Sequence, residues 1–89
     1  MPVVILYTPE FKRDYQKLSS DLQNLLKKKG QLFEQEPFHP LLRTHKLSGK
    51  LRDLWSFSLD YRCRVIFRFR GSGEVELLRV GDHSMYRKK

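Results

Sequence analysis

Hydrophobic and polar positions in the first half of the chain predict one strand followed by two helices. Residues 3 to 8, VVILYT, form a short β-branched and aromatic run that is typical of a strand. Thr8 and Pro9 then supply a capping hydroxyl and a proline at the first helical position. Apolar residues continue at three- or four-residue spacing, and the polar segment 19 to 21 offers a second helix start. The two predicted stripes are Phe11, Tyr15 and Leu18, then Leu22, Leu25, Leu26, Leu32 and Phe33.

The second half predicts three strands joined by short links. Residues 36 to 50 hold two prolines and a Ser-Gly pair, so we interpret them as a connection. Alternation then predicts strands over 54–59, 61–70 and 74–80, with Trp55, Phe57 and Leu59 on one face of the first. Short links make these strands an antiparallel meander. The predicted fold is therefore α+β, in the order β-α-α-β-β-β, with both helices on one sheet face and residues 1–89 in a single domain.

The strand YRCRVIFRFR, residues 61 to 70, carries an unusual charge pattern. One alternate register holds Tyr61, Cys63, Val65, Phe67 and Phe69, and the other holds Arg62, Arg64, Arg68 and Arg70. A row of like charges repels itself unless an anion lies across it, whereas an ordinary solvated sheet face mixes both signs. Arginine suits bidentate contact with phosphate. We therefore expect the open face to hold an RNA backbone or an acidic protein segment.

Net charge supports an anionic partner. The chain has a formal net charge of +8, and the excess is concentrated in its second half. Residues 1 to 42 hold six Lys/Arg against five Asp/Glu, and residues 43 to 89 hold twelve against five. Such a balance favours binding to phosphates or to an acidic protein. A membrane surface fits less well, because these basic residues lie on a strand rather than on an amphipathic helix.

Cysteine usage and hydropathy indicate the compartment. The single cysteine, Cys63, excludes an internal disulfide and fits a reducing cytoplasm. Cys63 shares the apolar register of its strand, so we expect a small buried hydrophobe rather than a nucleophile. The start, MPVVILYTPE, lacks the features of a secretory signal, and no run approaches eighteen apolar residues. We expect a cytoplasmic protein.

Three histidines are the candidates for chemistry. His39 lies in the connection without an obvious partner, and we interpret it as a surface residue. His45, in THKLSG, precedes the meander, and His83, in VGDHSMYR, follows it. The meander topology leaves open whether they meet. Two imidazoles with an arginine suit RNA cleavage by proton transfer without a metal. No Cys/His/Asp cluster has the spacing of metal ligands, and incidental surface histidines are the alternative interpretation.

Taken in order, these segments resemble the RelE/ParE toxin superfamily, most closely the ribonuclease branch around RelE, YoeB and YafQ. The resemblance covers nearly the whole chain. Its most specific parts are LSGKLRDLWSFSLDYRCRVIF and the Gly-x-His ending followed by an aromatic residue. It implies a type II toxin that enters the ribosomal A site, beside 16S rRNA, and cuts mRNA through attack of a 2′-OH on the neighbouring phosphate. It also implies an acidic antitoxin that covers the basic groove, and no cofactor.

The resemblance assigns roles to individual positions. His45 matches the candidate general base, Arg64 the residue that holds the scissile phosphate, and His83 the candidate general acid. Tyr86 matches the terminal aromatic that stacks on or orients a base, and the roles of the two histidines could be exchanged. The RNA-binding set expected from the superfamily's use of Lys and Arg, and from the strand pattern, is Lys46, Lys50, Arg52, Arg62, Arg68, Arg70 and Arg87.

Two alternatives stay open. Within the superfamily, the chain could be a ParE-type gyrase poison, although those toxins generally lack the histidine ending. From another class, it could be a nonenzymatic RNA-binding module or an inactive toxin relative.

Overall fold

The computed structural model describes residues 2–51 and 53–82. Two helices and five strands make up the fold, with 3-10 turns at Pro40–Leu42 and Gly49–Leu51. In chain order the helices and strands are β1 Val4–Tyr7, α1 Pro9–Lys17, α2 Ser20–Gln35, β2 His45–Lys46, β3 Trp55–Ser58, β4 Arg64–Arg70 and β5 Glu74–Gly81.

The strands form one mixed sheet in the order β1-β5-β4-β3-β2. Strand β1 pairs in parallel with β5, and the other three pairings are antiparallel. The predicted α+β fold and the meander are therefore confirmed. The interpretation of residues 36–50 as a plain connection is wrong, because His45 and Lys46 form strand β2 on the outer edge of β3. Two residues are too few to show an alternating pattern, and only the pairing with Ser56 and Trp55 reveals them.

Both helices begin where capping side chains were expected. The Thr8 Oγ1 atom accepts a hydrogen bond from the Phe11 N–H at 3.1 Å, and Pro9 occupies the first helical position of α1. The Ser19 Oγ atom accepts one from the Leu22 N–H at 3.2 Å at the start of α2. Each cap satisfies an amide that would otherwise lack a partner and stabilises its helix by about 1 kcal/mol.

The core lies between the helices and one face of the sheet. Phe33 of α2 is fully buried; its ring stacks on Phe57 at 4.5 Å between centroids and meets the edge of Phe67 at 4.8 Å. The predicted shared face of β3 is confirmed, since Phe57 and Leu59 are buried in this core and the half-buried Trp55 packs against it. The face of β4 and β5 that packs there consists of Val65, Phe67, Val75, Leu77 and Val80.

Cys63 is buried in this core, as its apolar register predicts, although it lies just before β4 rather than in it. Burial raises the pKa of its thiol from 9.0 to about 11, and the negative charges of Asp60 and Asp82 add to the effect. The folded state therefore favours the protonated thiol, and this contribution to stability is present below pH 9 and is lost as the pH rises towards 11.

We expect the native protein at pH 8 to react with an aromatic disulfide reagent at least about 100-fold more slowly than the protein unfolded in urea. Two pKa units alone reduce the thiolate fraction by about this factor, and the reagent reports a single site because Cys63 is the only cysteine. Absorbance of the released thiolate measures both rates. Equal rates would place Cys63 at the surface.

Gly30 is the residue of α2 with the lowest helix propensity. It occupies the helix interior, where glycine is less favourable than alanine, and an added Cβ would meet no described atom within 4 Å. We expect Gly30→Ala to raise the free energy of unfolding by about 0.5–1 kcal/mol, measured by urea denaturation. The matched control is Gly49→Ala, which is equally open but has φ +65°. It should lower the free energy of unfolding by about 1–2 kcal/mol; a loss of stability in Gly30→Ala would contradict this account.

Candidate functional site

The sheet face opposite the helices carries two of the predicted catalytic residues, His45 and Arg64, in adjacent rows. Cross-strand pairing aligns His45, Ser56, Ile66 and Arg79 in one row. The next row, two residues along the strands, consists of Ser58, Arg64 and Gly81. Because directly opposed residues point to the same side of a sheet, His45 and Arg64 share this face. From strand spacing and rise, their Cα atoms lie about 12 Å apart.

One hydrogen bond sets the state of the His45 ring. Its Nδ1 atom lies 2.9 Å from the carbonyl oxygen of Arg43, and a carbonyl can only accept. Nδ1 must therefore carry a proton, so in the neutral ring Nε2 holds the lone pair. Arg43 ends the 3-10 turn Pro40–Leu42 in a left-handed conformation, φ 53°, two residues before His45, and this turn places its carbonyl beside the ring. The His45 side chain is exposed at the edge of the sheet.

Arg64 is half-buried at the start of β4, and a hydrogen bond to the neighbouring strand holds its guanidinium in place. Its Nη1 atom donates to the Ser58 Oγ atom at 3.0 Å. Ser58 belongs to the neighbouring strand and is itself buried. The expectation that Arg64 lies on the open face is confirmed by its register opposite Ser58 and Gly81. A guanidinium fixed in this way presents its remaining N–H groups to an anion with little loss of side-chain entropy.

The expected row of four like-charged arginines is wrong. Arg62 precedes β4, and its guanidinium carbon lies 5.9 Å from the centroid of the Tyr61 ring. Arg68 donates to Glu76 of β5 at 2.7 Å, and Arg70 lies opposite Glu74. The carboxylates come from the neighbouring strand, so they were invisible in the sequence of β4 alone. This end of the face mixes both signs, and Arg64 differs from Arg68 because its described partner is neutral.

The other predicted site residues are dispersed. Lys46 pairs with Trp55 and therefore faces the helix side of the sheet, away from His45. Lys50 is exposed in the 3-10 turn Gly49–Leu51. Four candidates, Arg52, His83, Tyr86 and Arg87, lie outside the described residues.

His39 has a structural role that the sequence interpretation missed. Its half-buried ring caps the 3-10 turn Pro40–Leu42, where Nδ1 accepts from the Leu41 N–H at 3.1 Å. The expectation of a surface histidine without a partner is therefore wrong. The signal was the following proline, since a capping acceptor before a proline is typical of a helical start.

Ser56 was also not foreseen. It lies between His45 and Ile66 in the first row, is fully buried, and its Oγ atom has no hydrogen-bond partner among the described residues. Ile66 beside it is buried as well, although it faces away from the main core. The centre of this face is therefore closed, and the accessible candidates lie on either side of it.

A cavity of about 640 Å³ lies on the helix side of the sheet, remote from these rows. Its walls come from α1, α2, β1, β3 and β5 and include Phe11, Tyr15, Leu26 and Gly30. None of the predicted site residues that the structure describes lines it. Within residues 2–51 and 53–82, no group of three or more His, Cys, Asp or Glu side chains is placed to hold a metal ion. No helix in the same residues is long and apolar enough to cross a membrane.

Comparison with solved structures defines the class. YafQ from E. coli is 16% identical, with 97% of this chain and 99% of that chain covered and a TM-score of 0.79. The RelBE2 toxin–antitoxin complex from Mycobacterium tuberculosis contains a chain that is 21% identical, with 93% of this chain and 100% of that chain covered and a TM-score of 0.78. A YoeB/ParE toxin from Agrobacterium tumefaciens is 21% identical, with 91% and 99% covered and a TM-score of 0.75. Two helices on one face of this mixed sheet are the fold of RelE-like toxins.

The family follows from the sequence. The family described as bacterial toxin of type II toxin–antitoxin system, YafQ, matches residues 3–88. The chain belongs to this family of type II toxins. No curated protein sequence matches it significantly.

Proposed function

We propose that this toxin is an endoribonuclease that cuts translated mRNA in the cytoplasm without a metal ion. The observation that carries the proposal is the hydrogen bond from His45 Nδ1 to the Arg43 carbonyl at 2.9 Å. It leaves Nε2 as the basic nitrogen of an exposed ring, on the same sheet face as the guanidinium of Arg64. Members of the RelE, YoeB and YafQ group are generally endoribonucleases, which agrees with this arrangement.

In the proposed reaction, Nε2 of His45 takes the proton from a ribose 2′-OH. The 2′-oxygen attacks the adjacent phosphorus, the bond to the 5′-oxygen breaks, and His83 gives a proton to that oxygen. The products are a 2′,3′-cyclic phosphate and a 5′-hydroxyl. Arg64 stabilises the negative charge that builds on the phosphate oxygens. Each proton transfer contributes about 10²–10⁴ in rate, and Tyr86 orients a base beside the cut. The two histidines could exchange roles, but the tautomer of His45 favours it as the base.

RNA binding is proposed to rely on the basic residues around this face. Lys50 and Arg62 are exposed near its two ends, and Arg52 and Arg87 complete the set by resemblance. Arg68 and Arg70 contribute only in competition with Glu76 and Glu74, so we expect them to be secondary contacts. Lys46 contacts RNA only if the message also passes the edge of β2. Besides the mRNA itself, the proposed partner is the ribosomal A site with its 16S rRNA. Binding of the toxin to RNA should weaken as the salt concentration rises.

The second proposed partner is an acidic antitoxin. The chain belongs to a type II toxin family and carries a net charge of +8, concentrated in its second half. One structural relative, from M. tuberculosis, was solved as a toxin–antitoxin complex. An acidic segment across the Arg64 face would block the same groups that bind RNA.

The test is induced expression of the wild type and of the His45→Ala/His83→Ala double variant. Primer extension is read along a translated mRNA and along the same message with its start codon removed. Cuts confined to the translated message and absent in the variant support the proposal. Intact mRNA with continued growth arrest would instead indicate a gyrase poison, and intact mRNA with normal growth a nonenzymatic binding module.

A further inference from the structure

Strand β5 contains one extra residue close to its end. Ile66 pairs with Arg79 but the next residue, Phe67, pairs with Leu77, so Leu78 has no partner on β4 and forms a β-bulge. The bulge reverses the alternation of the strand. Val75 and Leu77 face the core, and continued alternation would turn residues 79 and 81 inward; instead Val80 is buried and Gly81 lies opposite Arg64.

Helix α1 and the residue that caps it hold this bulge through two side chains. Strand β1 ends at Tyr7, opposite Leu77, so beyond that point this edge of β5 has no strand partner among residues 2–51 and 53–82. The Thr8 hydroxyl donates to the Leu77 carbonyl at 2.9 Å, with the Leu78 carbonyl at 3.3 Å. Asp14 follows one and a half turns along α1. Its Oδ2 atom accepts from the Val80 N–H at 3.0 Å.

Asp14 also binds the side chain of Arg79. Arg79 Nε donates to Asp14 Oδ2 at 2.6 Å and Nη2 donates to Oδ1 at 3.2 Å, a two-pronged contact. The Asp14 side chain is only 13% exposed. Its hydrogen bond raises the pKa of Arg79. A largely buried carboxylate with three donors, one of them a backbone amide, restricts geometry far more than a solvated ion pair does.

We propose that Asp14 is a positioning residue of the candidate ribonuclease site. By holding the bulge at Leu78, it keeps Gly81 opposite Arg64 and so fixes the register of β5 beside that guanidinium. Asp14 itself contacts neither of the candidate catalytic groups among the described residues; it acts through β5. The inference rests on the proposed function, because the site whose geometry it serves is the proposed one.

The variant that tests this is Asp14→Asn, with Asp21→Asn as its matched control. Both remove one negative charge from a helix, but Asp21 is exposed in the first turn of α2. Cleavage of ribosome-bound mRNA is followed in single turnover over a range of toxin concentrations. We expect Asp14→Asn to lower the saturating rate about 10-fold, because misplaced catalytic groups react slowly. The half-saturating concentration should change less than twofold, and Asp21→Asn should behave as wild type.

A second measurement separates positioning from stability and does not need activity. In the ¹H–¹⁵N NMR spectrum of the folded protein, the Gly81 amide should shift in Asp14→Asn and stay in place in Asp21→Asn. If Asp14→Asn does not fold, Asp14→Glu replaces it, since it keeps the charge and lengthens the side chain. A wild-type rate with an unmoved Gly81 amide would overturn the proposal. If the wild type does not cleave mRNA, the proposed function fails, and the Gly81 amide alone decides whether Asp14 sets the geometry.

Discussion

Replacing Arg64 with alanine is expected to lower the rate of mRNA cleavage by about 10²- to 10³-fold. The proposed transition state places negative charge on the phosphate oxygens, and a fixed cationic donor removed from such a position costs about this factor. Arg64 is fixed because Nη1 donates to Ser58 at 3.0 Å from the neighbouring strand. The same change should lower the free energy of unfolding by only about 1 kcal/mol, the usual contribution of one hydrogen bond. Single-turnover cleavage and urea denaturation measure the two effects.

Two further variants make the Arg64 result specific. Arg64→Lys keeps the positive charge but lacks the planar guanidinium that can donate two hydrogen bonds to one phosphate. Its cleavage rate should therefore lie between those of Arg64→Ala and the wild type. Arg13→Ala removes an exposed arginine from α1, on the other side of the sheet, and should leave cleavage within about twofold of wild type. A large loss of stability with Arg64→Ala would mean that the guanidinium supports the fold. An unchanged rate in a folded variant would remove Arg64 from the site.

Local patterns were sufficient to predict most of the fold. A cap followed by proline marked the start of α1, and apolar spacing marked both helices, because these signals depend on neighbours in sequence. Alternation marked the three long strands for the same reason. Strand β2 has only two residues, and nothing about His45 and Lys46 by themselves distinguishes a strand from a loop. The parallel pairing of β1 with β5 joins residues about seventy positions apart and is likewise absent from any local pattern.

The candidate site was predicted less completely, because it depends on what lies across the sheet. The face of Arg64 followed from alternation within β4. The partners of Arg68 and Arg70 did not, since Glu76 and Glu74 come from β5. The tautomer of His45 depends on a carbonyl two residues away whose direction is set by the left-handed turn at Arg43.

The β5 bulge is the clearest case of information that only the three-dimensional structure supplies. In the run EVELLRV, polar and apolar residues alternate until two leucines stand next to each other. The sequence alone does not show which of the residues after them face the core. The contacts that decide it come from Thr8, which caps α1, and from Asp14, which lies on α1. Helix α1 therefore has two functions in the fold: it covers the core and it sets the register of the strand that ends beside Arg64.

Replacing Phe33 with alanine is expected to lower the free energy of unfolding by about 3–5 kcal/mol, the range for large buried aromatic residues. Phe33 is fully buried on the face of α2 that packs against the core, with its ring against both Phe57 and Phe67. Removing it loses the transfer free energy of the ring, the two aromatic contacts and the filled volume. Urea denaturation followed by the fluorescence of Trp55 measures the change.

A loss of stability this large should reduce toxicity by lowering the amount of folded protein, whereas a variant of the candidate site should act on the cleavage rate. A small domain is stable by only about 5–15 kcal/mol, so the loss of Phe33 would remove a large share of the total and reduce toxicity through the amount of folded protein.

Two control variants are compared with Phe33→Ala. Leu41→Ala removes a side chain that is 65% exposed and should change stability by less than about 0.5 kcal/mol. Phe33→Leu keeps most of the volume and should cost clearly less than alanine. If Phe33→Ala cost no more than Leu41→Ala, α2 would not be anchored by this ring, and the core between helix and sheet described above would be wrong.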